Sequence, residues 1–104
     1  MTGTIAPPPA ELQDRLALIE RAIRAKNWKT VASDNQAILV DELTAFMSSL
    51  ATMAHDSKLV SITARTLVYA KKTWTMQNAR NMATLIDTLL VEISFRWPKR
   101  GTTP

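Results

Sequence analysis

Cysteine is absent from this 104-residue chain, which removes disulfide scaffolds, thiolate zinc sites and thiol nucleophiles together. Histidine occurs once, at His55, so no second imidazole can share a metal with it, and it reads as a solvated turn residue. Glycine occurs only at Gly3 and Gly101. The body therefore holds no glycine-rich phosphate loop and no dinucleotide-binding turn. Apolar runs are short: none reaches the roughly 18 residues that a membrane-spanning helix needs. The opening residues lack the charged and apolar regions of a signal peptide, which makes a cytoplasmic location the expectation. Catalytic pairings are missing too. Asp41 and Glu42 are neighbouring carboxylates, but adjacent helical positions diverge by about 100° and no acid–base partner accompanies them. The expectation is a protein that is not an enzyme, with no cofactor, no metal and no small-molecule substrate.

What is present describes a folded domain. Apolar residues make up 46% and charged residues 21%, a globular composition rather than a disordered one. One domain of this length buries a marginal core, so a partner surface matters. The net charge of +4 is spread unevenly. Residues 1–27 carry four cations against three anions, 28–56 one against four, 57–97 six against two, and 98–104 two cations. An acidic middle beside a basic long stretch predicts that the two lie side by side and neutralise most of the excess.

Hydrophobic spacing gives the elements. Leu12, Leu16, Ile19 and Ile23 recur at four, three and four, which predicts a helix over 9–26. Pro9 fits its first turn, Glu11 suits its positive start, and Arg21, Arg24 and Lys26 suit its end. Asn27 is the residue expected to take the left-handed conformation that closes it. Leu39, Leu43, Phe46, Leu50 and Met53 mark a second helix. It begins at Trp28 or a little later at the capping pattern Ser33-Asp34-Asn35-Gln36, and the next start is capped by Asp56 or Ser57. From Ser57 to Trp97 no proline or glycine intervenes, which predicts one long third helix. Its stripes, Leu59, Ile62, Leu67, Ala70, Trp74 and then Met82, Ile86, Leu89, Ile93, Trp97, do not share a register. A kink or break is therefore expected across 75–81. Residues 1–8 and 98–104 are tails, the second one basic. The fold class is all-α: an antiparallel three-helix bundle over 9–97 with a long C-terminal helix, either dimeric or with that helix bent.

Folding the second and third helices about His55 sets Leu39 against Trp74, Leu43 against Ala70 and Phe46 against Leu67. The same register brings Glu42 near Lys71, Asp41 near Lys72 and Asp34 near Arg80. The first helix is too short to cover this hairpin. Phe46 to Met53 are left uncovered at one end, and at the other the third helix overhangs by about 15 Å. A second copy, a partner protein or the chain itself, bent back near 77–81, would have to cover that overhang.

Candidate sites follow from these patterns. Ile86, Leu89, Leu90, Ile93, Phe95 and Trp97 are the candidate partner-binding residues, with the helical spacing that receives an amphipathic helix. Against this stands closure of the protein's own core or of a homodimer. Replacing Leu89 and Ile93 with Asp is expected to abolish client capture while keeping helix content. Met47, Met53, Met76 and Met82 could line an adaptable surface or an ordinary core. Lys58, Arg65 and Lys72, seven apart, form a basic stripe, with Lys71, Arg80, Arg96, Lys99 and Arg100 nearby. It could face nucleic acid, with Trp28 or Trp97 stacking on bases, or it could be a solvated face partly paired with the second helix. Trp28 and Trp74 read as core anchors.

Ala25-Lys26-Asn27-Trp28, following Leu16-Ala17-Leu18-Ile19-Glu20-Arg21-Ala22-Ile23, resembles the small cytoplasmic chaperones of flagellar type III export, of the FliT and FlgN kind. The likeness covers about residues 10 to 97 and lies in the opening amphipathic helix, the short turn with a tryptophan starting the next helix, and the long last helix. It implies a non-enzymatic antiparallel helical bundle that binds a hydrophobic helical segment of an export substrate. At pI 9.9 the chain departs from the many acidic members, which leaves client identity and hand-over open. The other partner readings are a homo-oligomer and a nucleic acid.

Overall fold

Pro9 opens the first helix without a side-chain cap: its carbonyl accepts from the amides of Leu12 and Gln13 at 3.1 and 3.2 Å. In the computed structural model, which describes residues 8–53 and 56–98 but not the side chains at 28, 30–33 and 51–53, four helices follow one another. They are α1 (Ala10–Arg24), α2 (Trp28–Met53), α3 (Ser57–Lys71) and α4 (Met76–Arg96). The protein is all-helical among the described residues. The expectations placed on residues 1–7, His55 and 99–104, and on the side chains of Trp28 and Met53, lie outside them.

Each helix packs chiefly on two others, α1 on α2 and α4, and α3 on α2 and α4, so the four close into a ring. The molecule is 19 Å thick in its shortest dimension, which fits two helix layers about 10 Å apart. Two turns share one end of the ring, residues 25–27 and 72–75. At the opposite end the start of α3 meets the close of α4 through Asp56 and Arg96.

The expected single long helix is two helices. It ends at Lys71, and Lys72 turns to ψ 164. Thr75 then caps α4, its hydroxyl accepting from the Asn78 amide at 3.1 Å, while Asn78 donates back to the Thr73 carbonyl at 2.8 Å. Trp74, 6% exposed, plugs the corner and donates its indole N–H to the Ala70 carbonyl at 3.0 Å. The carbonyl that the broken helix leaves without its own amide partner is thus satisfied by a side chain. A capping threonine and a buried tryptophan do here what proline or glycine does elsewhere. The break falls at 72–75, at the leading edge of the expected polar stretch.

This reversal removes the overhang. Ile86, Leu89 and Ile93 are 0–2% exposed and join Leu12, Leu16, Ile19 and Ile23 of α1 in one core cluster. Phe46 and Leu50, expected beyond the reach of α1, are buried in the same cluster as Leu59 and Ile93. The stripes read for α1, for Leu39 to Leu50 of α2 and for Met82 to Ile93 of α4 are the buried ones. In α3 the inward stripe is Leu59, Thr63, Thr66, Ala70, whereas Ile62 and Leu67 only flank it, half-buried. The two threonine hydroxyls donate to the carbonyls of Leu59 and Ile62, each at 2.8 Å, so the core accepts them without an orphaned polar group. No buried side-chain nitrogen or oxygen among the described residues lacks a partner.

The expected hairpin register also changes. Gln36 donates to the carbonyls of Ala70 and Lys72 at 2.9 and 3.0 Å, more than a turn from the position opposite residue 77 that the sequence pairing gives it. Glu42 meets Arg15 of α1 at 2.7 Å, and among the described residues it forms no pair with Lys71, nor Asp41 with Lys72, nor Asp34 with Arg80. Arg15 reaches Asn35 as well, at 2.6 Å. One α1 guanidinium thus spans two α2 positions a heptad apart and fixes the antiparallel setting of that pair.

Candidate functional site

The α1–α2 connection is built on a left-handed residue. Helix α1 ends in a double-bonded turn, with the Asn27 amide on the Ala22 carbonyl at 2.9 Å and the Lys26 amide on the Ile23 carbonyl at 3.1 Å. That pattern needs a positive φ at its penultimate position, and the residue supplying it is Lys26, at φ 63, rather than the expected Asn27. Glycine is the usual occupant because a Cβ there crowds the backbone. A lysine in this place keeps its side chain at a cost in local conformation.

Beside this turn the ring opens into a cleft of about 930 Å³. Arg24, Lys26, Lys29 and Arg80 line it, drawn from the end of α1, the turn, the start of α2 and the second turn of α4. Between them lie Ile23, Ala83, Thr84 and Met76; Met76 is 63% exposed at the mouth. No acidic residue lines the cleft. Glu20 approaches from α1 and holds Arg24 at 2.6 Å; this carboxylate, with Asp87 farther off, raises the Arg24 guanidinium pKa above its ordinary value. Arg24 suits the negative end of α1, but Lys29 stands in the first turn of α2, which contains no acid. A cation there opposes the positive helix start. Lys71 and Lys72, at the close of α3, add to the same end. Cations are therefore gathered at one pole, and of the pairing expected between the acidic and basic stretches Asp56 with Arg96 forms at the other.

At the other pole the charges are mutually satisfied. Arg96 makes a paired contact with Asp56, one arm of it at 2.8 Å, and a second contact with Glu92 at 2.7 Å. Lys58 holds the other Glu92 oxygen at 3.1 Å. Hydrogen bonding from Arg96 pulls the Asp56 carboxyl below its ordinary range, helped by the Leu59 amide. Arg96 first and Lys58 second do the same to Glu92. The carboxylates in turn raise the Arg96 pKa.

The sequence-predicted sites are thus redistributed. Of the candidate partner residues, Ile86, Leu89 and Ile93 are core, Leu90 and Trp97 are half-buried, and Phe95 alone stands out, at 73% exposed. Val91, one turn before it on the same outer face, is 45% exposed. Lys58, Arg65 and Lys72 are all exposed along α3, though Lys58 is tied to Glu92 and Lys72 lies 4.7 Å from the Tyr69 ring centre. Trp74 is a core anchor; Met82 is buried, Met47 half-buried. Sequence reading missed the cleft because Arg24, Lys26 and Lys29 read as an ordinary helix end and turn, and Arg80 joins them only once the chain is folded.

No helix among the described residues is long and apolar enough to cross a membrane, and no group of three metal-ligating side chains occurs among them. The chain matches no family model, no curated protein and no solved structure.

Proposed function

We propose that this protein is a small non-catalytic adaptor that binds a protein client, of the kind its resemblance to flagellar export chaperones implies, acting in the cytoplasm. The observation that carries this reading is the cleft between the α1–α2 turn and the start of α4. It is open, its floor is apolar and its rim is cationic, which is the lining that receives an amphipathic segment of another protein. The half-buried end of α4 contributes only Phe95 and Val91 as further contact area.

A second reading, binding of nucleic acid, draws on the exposed row Lys58, Arg65 and Lys72. It is the weaker of the two, because Glu92 and Tyr69 already engage two members of that row and Trp97, one of the expected stacking residues, is half-buried against the core. A homo-oligomer through the outer face of α4 would leave the cleft without a task. The test is capture of interacting partners by the tagged protein, followed by mass measurement of the isolated complex after nuclease treatment. A defined protein heterocomplex is expected; a mass equal to a multiple of this chain, or loss of the complex on nuclease treatment, overturns the reading.

A further inference from the structure

Two of the four cleft cations stand where local structure disfavours them. Lys26 occupies a left-handed position at φ 63, where glycine carries no steric penalty. Lys29 lies in the first turn of α2, where a cation runs against the helix dipole. Departures from local preference that converge on one concavity mark a functional surface. Arg80 joins them from a different helix, and Arg24 completes the rim although Glu20 holds it. The floor between these cations is apolar, with Ile23 and Ala83 beneath and Met76 at the mouth. A free oxyanion would fill a small part of 930 Å³ and leave that floor wet.

We infer that the cleft binds an acidic amphipathic helix of a partner protein, whose apolar side chain rests on Ile23, Met76 and Ala83 while flanking carboxylates meet Lys26, Lys29 and Arg80. This rests on the protein-client reading and specifies the chemistry of the client. The complementarity is between a rim with no acidic member and a helix whose Glu or Asp residues border one apolar stripe. The net charge of +4 adds long-range attraction for such a partner and steers its approach to the basic pole. An adaptable methionine at the mouth accommodates apolar side chains of differing shape.

The experiment uses the full chain and three synthetic helices with the same leucine stripe, flanked by Glu, by Gln or by Lys, together with a single-stranded DNA oligonucleotide. Binding is followed by fluorescence anisotropy at several salt concentrations. The Glu-flanked helix is expected to bind tightest, with affinity falling as salt rises, and Arg80→Glu is expected to weaken it by about tenfold or more. Lys26→Gly is the decisive variant. It should lower affinity for the Glu-flanked helix severalfold while raising the unfolding temperature, a pair of opposite effects that a merely structural lysine would not give. Circular dichroism verifies that both variants stay folded. Equal binding of the Glu- and Gln-flanked helices would overturn the acidic-client inference and leave the protein-client reading standing. Tighter binding of the DNA, abolished by Arg80→Glu, would overturn both.

Discussion

Arg96 and Asp56, forty residues apart in sequence, close the pole opposite the cleft by joining the end of α4 to the first residue of the α3 cap. Asp56 does two things at once there. One oxygen accepts from the Leu59 amide at 3.2 Å, and both face the guanidinium. Asp56→Ala should cost about 1–2 kcal/mol, the usual worth of a lost helix cap. Asp56→Asn keeps the cap and loses the charge, so it should cost less than about 1 kcal/mol, because the pair is partly exposed. Urea unfolding of the two variants measures the split.

The same cluster sets the acid response. Asp56 and Glu92 are both held below the ordinary carboxylate range by Arg96. A carboxyl depressed on folding contributes stability that is complete above its unfolded value, about pH 4, and lost as pH falls through its folded value. The urea midpoint should therefore be flat from neutrality to about pH 5 and fall below about pH 4. The double variant Asp56→Asn, Glu92→Gln should show a shallower acid slope; an unchanged slope would refute the assignment.

Burial reverses an expectation drawn from the sequence. Ile86→Ala should cost about 2–5 kcal/mol, as for a fully enclosed aliphatic side chain, whereas Phe95→Ala should stay within about 0.5 kcal/mol. Asp at both Leu89 and Ile93 places two charges in the core and should abolish helix content rather than preserve it. Thermal unfolding followed at 222 nm distinguishes these outcomes.

Lys26→Gly relieves the left-handed strain at the α1–α2 turn and should stabilise the fold by about 1 kcal/mol. Lys26→Ala retains the Cβ and should not. The comparison, made by chemical denaturation, isolates the backbone contribution from loss of the charge.

Thr75→Ala removes the cap of α4 and should cost about 1 kcal/mol. If the long helix were continuous, Thr75 would be an interior position and alanine would stabilise it. The sign alone decides between one helix and two.

Three of the four elements were legible from periodicity. Leu12 to Ile23, Leu39 to Leu50 and Met82 to Ile93 recur at helical spacing and are the buried stripes. The break was expected across 75–81 and falls at 72–75 as a full reversal, which uses neither proline nor glycine; Thr73-Trp74-Thr75 carries it through a hydroxyl cap and a buried indole. With the third helix taken as one long element, the end of α4 projects and its core side chains look like a docking surface. In the first stripe read for that helix, Leu59, Ala70 and Trp74 are buried, but Ile62 and Leu67 only flank the core. Thr63 and Thr66 count as polar in a pattern, yet each donates its hydroxyl within its own helix and presents a methyl to the core. Three of the cleft's four cations, Arg24, Lys26 and Lys29, are close in sequence, but the cleft was illegible because its other wall, with Arg80, arrives only through the turn at 72–75.

The two inward threonines limit how much side chain the face of α3 can carry. Both are fully buried with their hydroxyls bonded inside the helix. A leucine at either would have to push α3 outward while Asp56 and Gln36 hold its two ends.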